Sequence, residues 1–444
     1  MIRKAFEALD RRLGLAKALR GPLRKVFPSH WSFLLGEIAL YSFVMLVLTG
    51  LYLTFFFEPS SQEVLYQGAF APLRGVEMSR AYASALDISF GVKAGLVMRQ
   101  IHHWSALVFL AAIVCHLGRI FFTGAFRKPR EINWVIGVTM LILAIANGFL
   151  GYSLIDDLLS GTGLRIAYSV VISIPFIGTR FAHLLFGGPF PAPETIPRFY
   201  SLHILVIPIL LAVFLTAHLA IVWYQKHTQF PGKGRTELNV VGSRLWPTYA
   251  AKSIGFFFLV AASLSALGGL VQINPIWIYG PFDPAAVSSP AQPDWYMGWL
   301  EGALRIFPSW NVHLGHYLIP EIFVPAVVLP SVTFLVLYLW PFLEAWVSGD
   351  HREHHLLDRP SEHPLRTAIG VAGISFYGTL LIAGSDDVLS LVTDANITNL
   401  VWVFRVLVLT LPLIAGWVAY LILRKPAEAT DIEERAASVP LSAD

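Results

Sequence analysis

Residues 99–119 read Arg-Gln-Ile-His-His-Trp-Ser-Ala-Leu-Val-Phe-Leu-Ala-Ala-Ile-Val-Cys-His-Leu-Gly-Arg. Arginine closes each end, the centre is apolar, and His102 and His116 stand 14 residues apart. A helix rises about 1.5 Å per residue, so the two imidazoles lie roughly 21 Å apart along its axis, and 14 residues return within roughly 40° of the starting direction. One histidine then sits near each face of a bilayer, both on one side of the helix. His203 and His218 repeat the arrangement 15 residues apart, at roughly 23 Å and within roughly 60°. Two such helices facing each other make two stacked bis-histidine cages. Each suits a planar cofactor with two open axial positions, haem, held by neutral imidazole nitrogens. A lone membrane histidine is ordinarily a helix–helix hydrogen bond; four in matched register argue for ligands.

The rest of the chain supplies the membrane. Its 444 residues are 55% hydrophobic and 14% charged, with mean hydropathy +0.62, which excludes a soluble domain. Apolar runs long enough to cross a bilayer fall at 33–57, 94–122, 133–154, 199–224, 250–272, 317–345, 366–384 and 400–424. The expected fold is an all-α polytopic membrane protein of eight transmembrane helices around a four-helix di-haem bundle. The segments facing the same side as the termini hold 23 of the 32 Lys and Arg, so both termini are expected in the cytoplasm. No cleaved signal peptide is read at the N-terminus. Four parts follow: an amphipathic cytoplasmic segment 1–32, a haem-binding half 33–245, a second four-helix half 246–424, and a polar tail 425–444. Cys115, the only cysteine, excludes an internal disulfide and a cysteine-held iron–sulfur cluster, and reads as a small buried hydrophobe.

Glycines and arginines share the register of the histidines. Gly36 and Gly50 are 14 apart in the first run, Gly137 and Gly151 14 apart in the third, where close helix approach would accommodate a porphyrin. Arg99, Arg119 and Arg198 flank the histidines, and an anionic haem propionate needs a fixed cation.

These residues resemble cytochrome b of the quinol:cytochrome c oxidoreductase (bc1) complex. The resemblance runs through Arg-x-x-His at 99–102, His-x-Gly-Arg at 116–119, Gly-Tyr at 151–152, Pro-Phe-Ile-Gly-Thr at 175–179 and Pro-Asp-Trp-Tyr at 293–296. The 15-residue second spacing, the segment from His227 reading His-Thr-Gln-Phe-Pro-Gly, and aspartate in place of the usual glutamate before Trp295 look like the actinobacterial form, whose donor is menaquinol. The resemblance implies two haem b groups: His102 and His203 on a low-potential outer one, His116 and His218 on a high-potential inner one. It also implies a Rieske iron–sulfur subunit, a c-type cytochrome, a homodimeric complex in the bacterial plasma membrane, and association with a terminal oxidase. Nucleic acid is not an expected partner.

Quinol oxidation needs a proton acceptor in an apolar pocket. Asp294, following Pro293 and opening a short helix, reads equally as that base or as a helix cap; the resemblance favours the base. Glu301, seven residues on and within roughly 20° of the same helix face, is a candidate second relay. Tyr296, Trp295 and Tyr152 resemble residues of the outer quinone pocket, with Gly163 giving the neighbouring loop room. The usual Pro-Trp after Tyr152 is replaced here by Ile155, Asp156 and Asp157. His313 and His316 read as interfacial. At the inner quinone site His227 and Lys252 are the candidate contacts, with Ser253 where many relatives have aspartate. His351, His354 and His355 with Glu353 read as a solvated face. Two other functions stay open on the residues alone: a haem-b membrane anchor of a dehydrogenase, and a secondary transporter.

Overall fold

The computed structural model describes residues 10–286, 292–315 and 317–424. The first nine residues, the tail 425–444 and His316 lie outside the described residues. Among the described residues, eight helices are long and apolar enough to cross a membrane: α1 Trp31–Thr54, α2 Gly95–Phe122, α3 Glu131–Ser153, α4 Thr195–Gln225, α5 Leu245–Leu270, α6 Val324–Ser348, α7 Pro364–Ala383 and α8 Ile397–Leu423. Most match the apolar runs to within a few residues. The sixth does not: residues 317–319 form a strand, Tyr317–Ile319, paired antiparallel with Val312–Leu314. Gly315 at φ 62° turns this hairpin, and Pro320 ends its second strand.

Helices α1 and α2 pack along their lengths, α3 packs on α4, and α2 touches α3, which closes the four-helix core. The second half wraps it: α5 lies against α1 and α2, and α6 against α3. Polar clasps fix these packings, because an apolar helix surface gains little from leaving lipid. Trp134 on α3 donates to the Leu337 carbonyl of α6 at 2.5 Å, and Thr139 meets Tyr338 at 2.9 Å.

The segments joining the helices at the face away from the termini are structured. One, beginning after α1, carries the hairpin Glu63–Leu65/Glu77–Ser79 and the helix Arg80–Phe90; apolar runs gave no sign of it. The segment after α3 carries helices Leu158–Ile172 and Gly178–Phe186, and the one after α5 carries helix Trp295–Ile306. Buried Gln100 on α2 exchanges two hydrogen bonds with Ile273, at 2.7 and 3.0 Å. Further on, the backbone of 280–282 bonds that of 156–158. Helix Trp295–Ile306 crosses α7 so closely that a Cβ on Gly302 would run into the Leu380 carbonyl, which is why that crossing takes glycine. At the terminal face Val26–Phe27 pairs with Ser243–Arg244, pinning the N-terminal segment beside the start of α5.

Candidate functional site

The two histidine pairs line two cavities stacked in the core. The first, of about 470 Å³, is lined by His102, His203, Gly50, Gly151, Arg99, Tyr152, Asp294 and Tyr296 among others; the second, of about 600 Å³ and nearer the terminal face, by His116, His218, Gly36, Gly137, Arg119, His227 and Lys252.

In the His102 cavity the imidazoles of His102 and His203 have ring centroids 6.2 Å apart and planes at 77°. Metal–imidazole bonds run about 2.0–2.1 Å. Allowing about 1.1 Å from nitrogen to ring centre on each side, one ion shared axially by both rings would set the centroids about 6.3 Å apart. The hydrogen bonds fix the tautomer as well. Thr49 gives its hydroxyl hydrogen to the Met45 carbonyl at 2.6 Å, so at its 2.9 Å contact with His102 Nδ1 it accepts. His203 Nδ1 donates to the Asn147 carbonyl at 3.0 Å. Both Nε2 lone pairs are left to face the cavity.

The unequal spacings are reconciled by the backbone of α4. Residues Leu202–Val206 form a π-helical turn, in which the Ile207 amide bonds the Leu202 carbonyl. Such a turn holds one extra residue, so the 15-residue spacing from His203 behaves as the 14 of α2. The glycines do close the approach: a Cβ on Gly50 would meet His102 Cε1 at 3.1 Å, one on Gly36 would meet His116 Cε1 at 3.2 Å, and one on Gly151 would overlap the His203 ring. Gly137 lines the His116 cavity, but a Cβ there would meet nothing within 4 Å.

Arg99, 7% exposed, donates from Nη1 to the Asn274 carbonyl at 3.3 Å, while its Nε and Nη2 are buried without partners. In the other cavity Arg119 lies over the Phe33 ring at 4.4 Å, and its Nε and Nη2 are likewise unpartnered. Orphaned guanidinium donors in a buried wall are costly unless an anion meets them. With four imidazoles and apolar walls, this donor set fits a dicarboxylate porphyrin at each level. Arg198 does not join them: it is exposed and donates to the Leu184 carbonyl at 2.5 Å, because the turn at Gly187 brings that carbonyl within its reach.

Asp294 occupies the N-cap position of helix Trp295–Ile306, yet its side chain caps nothing. Instead Oδ1 contacts His103 Nε2 at 2.8 Å, and Oδ2 accepts from the Tyr296 hydroxyl at 3.2 Å. Pro293 and Trp295 flank it without lining the cavity, and Gly163 lies in ordinary contact with Tyr152, at 3.6 Å for an added Cβ. Glu301 also leaves the cavity wall. Its Oε1 accepts from Arg305, whose guanidinium reaches Asp386 and Asp387 as well, and Oε2 is buried without a partner. Burial pushes the Glu301 carboxyl up to about 7 despite Arg305. Asp157, 1% exposed, caps helix Leu158–Ile172 through the Ser160 amide at 2.8 Å, and burial raises it to about 6.

In the His116 cavity His227 packs on Phe27 with centroids 4.5 Å apart, and burial, with Lys25 and Arg130, lowers its imidazole to about 4. No cluster of three or more His, Cys, Asp or Glu placed to hold a metal ion occurs among the described residues; His354 contacts Asp350, and His355 accepts from Arg130. Cys115 is exposed on α2, since its neighbour His116 takes the inward direction. Sequence reasoning missed His103, Thr49, Asn147 and a carboxylate, Glu37. The last carried a legible signal, an acidic residue inside an apolar run.

Comparison with known proteins gives three findings. A family described as cytochrome b (N-terminal)/b6/petB matches residues 107–281. The chain is 52% identical to the cytochrome bc1 complex cytochrome b subunit of Mycobacterium leprae over 95% of its own length and 76% of the relative's, and 50% identical to that of Streptomyces coelicolor over 91% and 74%. Its fold is similar to a chain of a hyperthermophilic respiratory complex III, with TM-score 0.69 at 19% identity, covering 94% of this chain and 98% of the other.

Proposed function

The chain belongs to the cytochrome b subunits of cytochrome bc1 complexes, integral membrane oxidoreductase components of respiratory complex III whose family cofactor is haem b, and from that premise we propose that it oxidises a quinol at the His102 cavity and reduces a quinone at the His116 cavity. The observation that carries this reading is the His102–His203 imidazole pair, 6.2 Å apart with both Nδ1 atoms engaged, with a second histidine pair, His116 and His218, lining the next cavity along the core. In it, His102 and His203 hold an outer haem b, and His116 and His218 an inner one. Arg99 and Arg119 neutralise the propionates. When bound, the two haems supply one-electron relays across the bilayer.

At the outer cavity Asp294 takes a proton from the quinol hydroxyl, and His103 and Tyr296 hold its carboxylate in place. Glu301, titrating near neutral pH, passes a proton toward Asp387 and the outer face. One electron of each quinol leaves to a Rieske iron–sulfur subunit and on to a c-type cytochrome; the other crosses to the inner cavity, where His227 and Lys252 line the quinone's place. Moving that charge against the potential costs about 2.3 kcal/mol per 100 mV. Menaquinol as donor, a homodimeric complex, association with a terminal oxidase, and a bacterial plasma membrane with both termini cytoplasmic complete the reading. The Lys and Arg distribution supports the orientation.

A redox titration of the visible spectrum of the purified complex tests it. Two b-type haems of distinct potential are expected, with His203→Leu losing the lower and His218→Leu the higher. A single haem, or both haems kept in either variant, contradicts it.

A further inference from the structure

The His116 cavity is walled by four cations, Arg119 on α2, Arg130 at the start of α3, Lys226 after α4 and Lys252 on α5, with the imidazoles of His30 and His227 beside them. Among the described residues that line it, Glu37 is the one acid. It follows Gly36, against which the His116 ring packs, so the carboxyl lies one residue from the level of the inner imidazole. No cation pairs with it among the described residues. Three hydroxyls hold it instead: Tyr249 donates to Oε1 at 2.5 Å, Tyr41 to Oε2 at 3.0 Å, and Ser253 approaches Oε2 at 3.3 Å. Tyr41 also meets the Ser253 hydroxyl at 2.5 Å. Tyr249, Lys252, Ser253 and Phe256 repeat at helical spacing along one face of α5 and all line the cavity. That face carries the polar wall up to exposed Lys252 at the terminal end.

We propose that Glu37 is the carboxylic acid that protonates the quinone in the His116 cavity. It supplies from α1 the acid that α5 lacks, because Ser253 carries only a hydroxyl. The inference rests on the two-site reading above. As the electron given up by quinol at the other cavity reaches the quinone, the carboxyl O–H bond breaks and an O–H bond forms on a quinone oxygen. Tyr249, Tyr41 and Ser253 stabilise the carboxylate left behind, and water at the terminal face reprotonates it past Lys252. Two such cycles deliver the two protons that match two electrons. Three neutral hydroxyls, with no cation among the partners, orient the carboxyl in the cavity wall.

The test uses the whole purified complex. Quinol reduces the haems through the His102 cavity, and a short-chain naphthoquinone then reoxidises them, in H₂O and in D₂O. Glu37→Gln is expected to keep the visible spectrum of both haems and to slow reoxidation about 100-fold, with the solvent isotope effect of the wild type altered and the naphthoquinone KM nearly unchanged. Glu37→Asp, which retains an acid, should recover most of the rate. Wild-type reoxidation kinetics and isotope effect in Glu37→Gln, or equal losses in the Asp and Gln variants, would overturn the assignment. If Glu37→Gln loses haem, Tyr249→Phe decides: it keeps the acid and removes its shortest hydrogen bond. Slower reoxidation with a changed isotope effect supports Glu37, and an unchanged rate overturns it. Failure of the wild-type complex to be reoxidised by naphthoquinone would instead sink the two-site reading, and this inference with it.

Discussion

The two cavities are built from the same parts and differ in how their imidazoles are backed. In the His102 cavity both Nδ1 atoms bond protein oxygens, at 2.9 Å to Thr49 and 3.0 Å to Asn147. In the His116 cavity neither His116 nor His218 Nδ1 has a hydrogen bond of normal length, and His218 has only a long backbone approach at Asn133. The surrounding charges differ in the same sense. The first cavity sets Asp294 against Arg99, whereas the second gathers cations around one carboxyl. A donor bond from Nδ1 makes an imidazole a stronger electron donor, and nearby cations favour the reduced iron. On the proposed two-haem reading, the contrast would set the first level at lower potential than the second, the direction needed to drive an electron inward.

The harshest way to break the comparison is through the glycines. Gly151→Ala drives a Cβ into the His203 ring and should abolish the lower-potential haem signal, while Gly36→Ala, at 3.2 Å from His116, should broaden or shift the higher-potential signal without removing it. Next, Asp294→Asn should slow quinol-dependent haem reduction about 100-fold while naphthoquinone reoxidation stays unchanged. An equal loss in both half-reactions would assign Asp294 to structure. The smallest effect sharpens the contrast most: Thr49→Val removes the acceptor behind His102. It should raise the lower midpoint potential by about 60 mV, a tenfold change in a one-electron equilibrium, with the higher one fixed. A titration with neither potential moved would detach the potentials from the Nδ1 bonds.

Periodicity found what repeats along one helix. The histidine register, Arg99 and Arg119 beside it, and seven of the eight spans were legible because each depends on spacing within a single segment. Residues whose role depends on a second segment were not. Glu301 sits near the face of Asp294, but Arg305 four residues on, joined by Asp386 and Asp387, draws it into an ion-pair cluster. Arg198 follows the local turn at Gly187 rather than the cavity. His103 stayed hidden beside His102, since its partner Asp294 is 191 residues away. The choice between cap and pocket for Asp294 was open for the same reason.

By itself, then, the sequence determined that this is a membrane bundle with paired imidazoles at two depths, because hydropathy and helical phase are properties of one chain segment. Only the tertiary structure decided that a π-turn in α4 brings unequal spacings into register, that Nδ1 is engaged at one level and not the other, and that Glu37 faces the second cavity. Each of these depends on which backbone atom of another helix lies within about 3 Å, and packing alone sets such distances.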